Sequence, residues 1–414
     1  GMVEIRSSLA ILEGSREFFP ALIAAIDRAQ ETIYLESYLI RDDTDTRAVL
    51  DALIAARQRG VAVFLLLDGF GSVDASTWVK TLLVPAGVEV EFYRPGVRWL
   101  APKTWRRLHR KLALIDETIG FVGGINLVGD YFDETKGRLE HPRLDFAVQV
   151  TTFRALRAIS HVMRRTWWRV SLRNTLRGSV GRLLETDQRD AEMGRVREAW
   201  RKTRRHLRWR GPPVRKSASF RARLLLRDNL RFRRKIEQWY LWRILLAQRE
   251  ILIANAYFVP TYRFRAGLIK AAARGVRVRL LIQGNSDQWW THWATQALIE
   301  ELHTAGVEIY YYLPGILHAK VAVIDDAITV GSSNIDPFSL MLSLEANLVA
   351  EDTIIASHLR ERLESAIGQA IRLETVRVTP RGALRSVIRK IALTMVLMAL
   401  RIFASFSRTG YEVH

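Results

Sequence analysis

His109-Arg-Lys-Leu-Ala-Leu-Ile-Asp116 and His318-Ala-Lys-Val-Ala-Val-Ile-Asp325 share one pattern: histidine, any residue, lysine, four apolar residues, aspartate. Each is followed by a glycine- and asparagine-bearing turn, Gly123-Gly124-Ile125-Asn126 and Gly331-Ser332-Ser333-Asn334. A single histidine-x-lysine is usually a surface pair. Two copies in opposite halves of a 414-residue chain predict a duplicated fold, each half giving one histidine and one lysine to a shared site.

The repetition spreads outward from the motifs. Glu31–Tyr38 aligns with Glu250–Tyr257, each a β-rich run leading into a helical pattern (Val49, Leu50, Leu53, Ile54; Leu268, Ile269, Ala272). Both helices close on Arg-Gly-Val, at Gly60 and Gly275, where glycine accepts the positive φ of a helix end. Buried strands follow at Val61–Leu67 and Val276–Ile282, then a second helix and a strand after Ala86-Gly87-Val88 and Ala305-Gly306-Val307. Strands alternating with helices predict an α/β layered architecture. Lys111–Ile115 and Lys320–Ile324 read as buried strands, with Asp116 and Asp325 at the turns of hairpins. Residues two apart share a strand face, so each histidine and lysine can reach one phosphate.

The chain is globular in composition, 49% hydrophobic and 26% charged. It has no cysteine, which excludes disulfides and thiolate-held metals and suits a reducing compartment. Its net charge of +20 predicts attraction to a polyanion, either nucleic acid or an anionic membrane. No secretory signal is expected, and no uncharged apolar run reaches the ~18–20 residues that cross a bilayer.

Four segments are expected: a first half at 2–150, a basic insert or linker at 151–222, a second half at 223–378 and a tail at 379–414. The insert interleaves arginine and tryptophan, as in Arg164-Arg-Thr-Trp167-Trp168-Arg169 and around Trp209. It reads as a solvated face, a nucleic-acid surface or, favoured here, a membrane-docking element. The loop Arg94–Arg107 belongs to the same reading. In the tail, Ser386, Lys390, Thr394, Arg401, Ser405 and Arg408 form a narrow polar stripe on an otherwise apolar helix. That pattern fits a helix lying in a membrane interface, or one packed on the second half.

This kit suits phosphodiester exchange. One neutral imidazole attacks phosphorus and forms a phosphohistidine. A second protonates the leaving alkoxide and then deprotonates the incoming alcohol. Two lysines offset the charge on the non-bridging oxygens, with Asn126, Ser332 and Asn334 as further donors; no metal or other cofactor is required. Asp145 and Glu345 are the candidate carboxylates that orient the histidines. Asp116 and Asp325 complete the motif but sit at the far strand ends, better placed to hold the hairpins. Glu36 could be a site residue or a fold support.

The chain resembles the phospholipase D superfamily and is similar to bacterial cardiolipin synthases of the B type over residues 8–375. The similarity is carried by Leu66-Leu-Asp-Gly-Phe-Gly-Ser72, both histidine–lysine–aspartate motifs, Ile253–Phe258, Val330–Ser339 and Leu344-Glu-Ala-Asn347. The resemblance implies two α/β/α sandwich halves related by a pseudo-twofold, with the active site between them. It implies phosphatidyl transfer from one phospholipid to the glycerol hydroxyl of phosphatidylglycerol, with no nucleotide. His109 is taken as nucleophile and His318 as acid/base, roles that the pseudo-symmetry makes nearly interchangeable. Two departures stand out: the second hairpin turn is one residue shorter, and the first corner reads Gly-Gly-x-Asn where the family more commonly has Gly-Ser-x-Asn. The expected location is peripheral or interfacial, on the cytoplasmic face of a bacterial inner membrane. The alternatives are a phospholipase D-type hydrolase, a nucleic-acid phosphodiesterase, which the charge favours and the tail disfavours, and a catalytically silent membrane scaffold.

Overall fold

The structure is a computed structural model that describes residues 8–95, 106–133, 137–183, 189–207, 222–228, 234–284, 289–335 and 343–374. The tail, Gly211-Pro212-Pro213 within the expected insert or linker, and most of the Arg94–Arg107 loop lie outside the described residues.

The first half carries β1 (Leu9–Glu13), β2 (Thr32–Ser37), β3 (Ala62–Asp68), β4 (Glu89–Tyr93), β5 (Arg107–Leu108), β6 (Lys111–Ile115), β7 (Ile119–Gly123), a small hairpin of β8 (Phe132–Asp133) and β9 (Gly137–Arg138), and β10 (Phe146–Val150). The second carries β11 (Arg223–Arg227), β12 (Glu250–Asn255), β13 (Arg277–Gln283), β14 (Glu308–Tyr312), β15 (Lys320–Ile324), β16 (Ala327–Gly331), β17 (Ser343–Glu351) and β18 (Ile371–Arg372). The first sheet runs β1-β10-β7-β6-β2-β3-β4, and the second repeats that order as β11-β17-β16-β15-β12-β13-β14 before adding β18. In both, the β2-β3-β4 type neighbours are parallel and the motif hairpins antiparallel. The duplication read from two octapeptides thus extends to every strand of the first sheet.

Burial explains the sequence of the motif strands. Leu112 and Leu114 face a core shared with Val321 and Val323 of the other sheet. Ala113 and Ile115 face the helices α1 (Gly14–Asp27), α2 (Thr44–Gln58) and α3 (Ser76–Leu83). Ala322 and Ile324 likewise face α6 (Lys235–Leu246), α7 (Tyr262–Ala273) and α8 (Trp289–Thr304). A strand covered on both faces must be apolar throughout. Local signals set the helix ends: the side chains of Asp43 and Thr261 accept from the N–H groups of Thr46 and Phe264, as N-caps do. Gly60 and Gly275 take φ of +95° and +90° at the helix exits.

Helix α4 (Phe153–Leu183) follows β10 as α9 (Thr353–Gly368) follows β17, and both pack into the core between the sheets. This corrects the reading of the Arg/Trp segment at Trp167 and Trp168; its second stretch, around Trp209, lies outside the described residues. Trp167 and Trp168 are only 3% and 6% exposed, and Trp167 sits edge-on to Phe64 of β3. They are core residues, not membrane anchors. In sequence, tryptophan among arginines reads as a surface because the arginines dominate the composition. In the helix, however, Arg164 turns to the Glu117 carboxylate, leaving the rings to pack inward. The boundary expected at residue 150 therefore cuts between a sheet and the helix that covers it. Helix α5 (Arg189–Leu207) lies against α4 and carries the rest of the described insert.

Candidate active site

The two motifs meet through a crossed exchange between the halves. His109 Nδ1 lies 3.0 Å from the carboxylate of Glu345, a second-half residue. His318 Nδ1 lies 2.6 Å from Asp145, a first-half residue. The backbone sets this geometry. Arg107 and Leu108 pair in parallel with Ser343 and Leu344, and the His109 N–H donates to the Leu344 carbonyl at 3.0 Å. Leu144 forms the matching bridge with Leu317, and the His318 N–H donates to the Leu144 carbonyl at 2.9 Å. Each histidine is therefore hydrogen-bonded to the residue preceding the other half's carboxylate.

The end of each third strand braces the same segment. Asp68 accepts from the Leu108 N–H at 2.7 Å and from the Arg107 guanidinium at 3.2 Å. Gln283, its counterpart, accepts from the Leu317 N–H at 2.5 Å and donates to the Gly315 carbonyl. Neither brace was assigned a role from sequence, although Asp68 lies in a stretch that carried the family resemblance. Repeat alignment could have found the pair: each residue ends the third strand of its half, β3 and β13. Tyr38 was also missed; its ring lies 5.0 Å from that of His109, and Lys111 Nζ sits 5.8 Å over it.

Lys111 Nζ donates to the His109 carbonyl at 2.5 Å, and Lys320 Nζ to the His318 carbonyl at 2.6 Å. Burial lowers the Lys111 ammonium to about 7, with Lys320 pushing the same way and Glu345 opposing. Burial also lowers His109, and His318 to about 3, with Lys320 adding to the shift and Asp145 opposing it. Burial would raise Glu345, but His109, Lys111 and Arg227 hold it below the usual carboxylate range. The sensitivity of Lys111 to Lys320 and of His318 to Lys111 marks one electrostatic site. With Nδ1–H given to a carboxylate, each imidazole is neutral and keeps a lone pair on Nε2. Such a pair can attack phosphorus and move a proton, while two lysines await the negative charge.

The corner residues divide. Ser332 donates to Glu345 at 2.5 Å. In the first half a Cβ on Gly124 would come within 2.5 Å of Asp145 Oδ1, so no serine fits there. The shorter carboxylate sits where the hydroxyl would be and accepts instead from the Phe146 N–H at 2.8 Å. Asn126 accepts from the Leu39 N–H at 3.3 Å and lines a cavity of about 260 Å³ beside His318. Asn334 borders a different, smaller cavity with Tyr240 and Phe264, away from the phosphate position expected for it. Asp116 and Asp325, members of the motif, hold no place beside the histidines. Their carboxylates accept from the N–H groups of Gln30, Glu31 and Thr32, and of Gln248, Arg249 and Glu250. The catalytic candidacy of these two aspartates is corrected to a hairpin anchor. Glu36 is a fold support: it is buried against the Arg110 guanidinium at 2.7 and 3.1 Å.

The family described as cardiolipin synthase, PLD-like domain matches residues 22–137 and again 240–367, the two repeats that the sheets define. The chain belongs to the phospholipase D-like cardiolipin synthase family. Within this family it is 36% identical to cardiolipin synthase B of Shigella flexneri over 87% of this chain and 80% of that one. It is 29% identical to the major cardiolipin synthase ClsA of Bacillus subtilis, over 85% and 67%. The crystal structure of a phosphatidylserine synthase from Haemophilus influenzae superposes with a TM-score of 0.61 at 13% identity, covering 96% of this chain and 95% of that one; it shares the fold. The cardiolipin synthase family model's two matched segments fall on the two sheets of matching strand order.

Proposed function

We propose that this protein is a cardiolipin synthase, a phosphatidyltransferase whose substrates are phosphatidylglycerol and a second phospholipid. His109 Nε2 attacks the donor phosphorus, the P–O bond to the departing alcohol breaks, and His318, protonated on Nε2 once the anionic phosphodiester is bound, delivers that proton to the leaving oxygen. The glycerol hydroxyl of phosphatidylglycerol then gives its proton back to His318 and forms a new P–O bond as the P–N bond breaks. Lys111 and Lys320 stabilise the phosphoryl oxygens throughout. The crossed histidine–carboxylate pairs carry this reading, because they aim two imidazoles at one site, one to attack and one to carry the proton. Glu345 and Asp145 orient, Ser332 holds Glu345, and Asn126 braces its corner.

The site lies at the ends of the parallel strands. Phe70, Val73 and Tyr257, in loops following β3 and β12, are exposed there. With the net charge of +20, they support docking on an anionic bilayer. Among the described residues no helix is long and apolar enough to cross a membrane, and we place the enzyme peripherally on the cytoplasmic face of the inner membrane. Purified protein incubated with phosphatidylglycerol vesicles is expected to form cardiolipin and to leave plasmid intact. Nicked plasmid with untouched lipid would reverse the assignment in favour of a nucleic-acid phosphodiesterase.

A further inference from the structure

The cavity of about 260 Å³ beside His318 is lined by Asn126, Phe132, Asp133, Arg143 and Asp145, with Arg41 at its wall. It is roomy enough for several waters and combines guanidinium donors with carboxylate acceptors. Arg143 and Asp145 flank Leu144, which is held extended by its bridge to Leu317. Residues two apart on an extended strand share a face at about 6.6 Å spacing. Arg143 thus stands one such step from the carboxylate that aims His318. Its guanidinium is fixed by donating to the Phe132 carbonyl at 2.7 Å and the Gly129 carbonyl at 3.4 Å, and lies 4.0 Å from Asp133.

The geometry points to this cavity as the subsite for the acceptor alcohol, recognised as a glycerol carrying its own phosphodiester. This rests on the transferase reading. The reacting hydroxyl sits at His318 Nε2 and yields its proton there. The three-carbon span of the glycerol then carries the acceptor's phosphate towards Arg143, and Asp133 is positioned to accept from the middle hydroxyl. The attacking oxygen bonds phosphorus, the P–N bond to His109 breaks, and its electron pair returns to the imidazole. Arg143 is a specificity residue in this scheme; it touches the acceptor's phosphate and not the reacting one. It would let the enzyme tell phosphatidylglycerol from free glycerol and from water, all of which compete for the same covalent intermediate.

Because the products partition from one intermediate, their ratio reports acceptor recognition independently of the donor step. Phosphatidylglycerol vesicles are supplied with deuterated glycerol, and three products are counted: cardiolipin, headgroup-deuterated phosphatidylglycerol and phosphatidic acid. Arg143→Gln is expected to lower cardiolipin relative to the deuterated product about tenfold, the size of one charge-assisted hydrogen bond, while lipid consumption continues. Phe132→Trp, which narrows the cavity, is expected to lower both transfer products relative to phosphatidic acid. Unchanged ratios in both variants overturn the subsite, as does a folded Arg143→Gln enzyme that consumes no lipid, since that moves Arg143 into the donor step. A wild-type protein producing neither cardiolipin nor phosphatidic acid would instead strike the transferase reading itself.

Discussion

At the scale of single residues, burial disfavours the protonated forms of His109, His318 and Lys111. Lys111, lowered to about 7, and His318, lowered to about 3, are both short of protons in the ligand-free protein. An anionic phosphodiester reverses the balance and raises both groups. Binding of a phosphate analogue such as tungstate at pH 7–8 is therefore expected to take up protons, and its affinity to fall as pH rises. Calorimetry in buffers of different ionisation enthalpy reads this directly; a buffer-independent heat would contradict it. The ligand-free fold follows the same linkage. An unfolded chain protonates His318 near its ordinary 6.5, the folded chain only near 3, so stability declines as pH falls through that window. Lys111 acts between about 7 and 10.5, where the unfolded state again binds more protons and stability rises with pH. Lys111→Met should accordingly abolish turnover yet stabilise the fold at neutral pH by on the order of 1 kcal/mol, read as a higher melting temperature. His109→Ala and His318→Ala should each eliminate cardiolipin formation, and near-wild-type turnover in either would dissolve the shared site.

At the scale of elements, the hairpins separate anchoring from chemistry. Each motif aspartate ties a turn to the loop entering the strand paired with its own. Asp116→Asn and Asp325→Asn are expected to cost roughly 1–3 kcal/mol by chemical denaturation while changing turnover per folded molecule only a few-fold. A loss comparable to that of Glu345→Gln, expected at about a hundredfold or more, would return them to the active site. The corner offers a sharper test. Gly124→Ser should dislodge Asp145 and depress activity, and adding Asp145→Glu should restore part of it by recreating the second-half arrangement of Ser332 with Glu345. The motif strands and their duplication were legible in sequence, because a strand covered on both faces writes itself as an unbroken apolar run and does so twice. The histidine–carboxylate partners were legible only as a set. Which carboxylate serves which histidine depends on how two sheets dock, and no local pattern records that. The same limit hid Trp167 and Trp168: the helical face they share is decided by where Arg164 finds its anion.

At the scale of the whole molecule, two sheets of matching strand order enclose one core and place both histidines at one end. Vesicle turnover is expected to fall in a Phe70→Ser, Val73→Ser, Tyr257→Ser triple variant, while turnover of short-chain lipid dispersed below micelle formation stays within about twofold. Equal losses in the two assays would show that these side chains serve the fold and not the bilayer. The Glu345 carboxylate under His109 and the Asp145 carboxylate under His318 also carry a lesson about ancestry. A solitary repeat owns a base without its aiming group, and would need a second copy to complete either pair. Within this one chain each copy guards its sibling's imidazole, so a change to either carboxylate is felt in the opposite half.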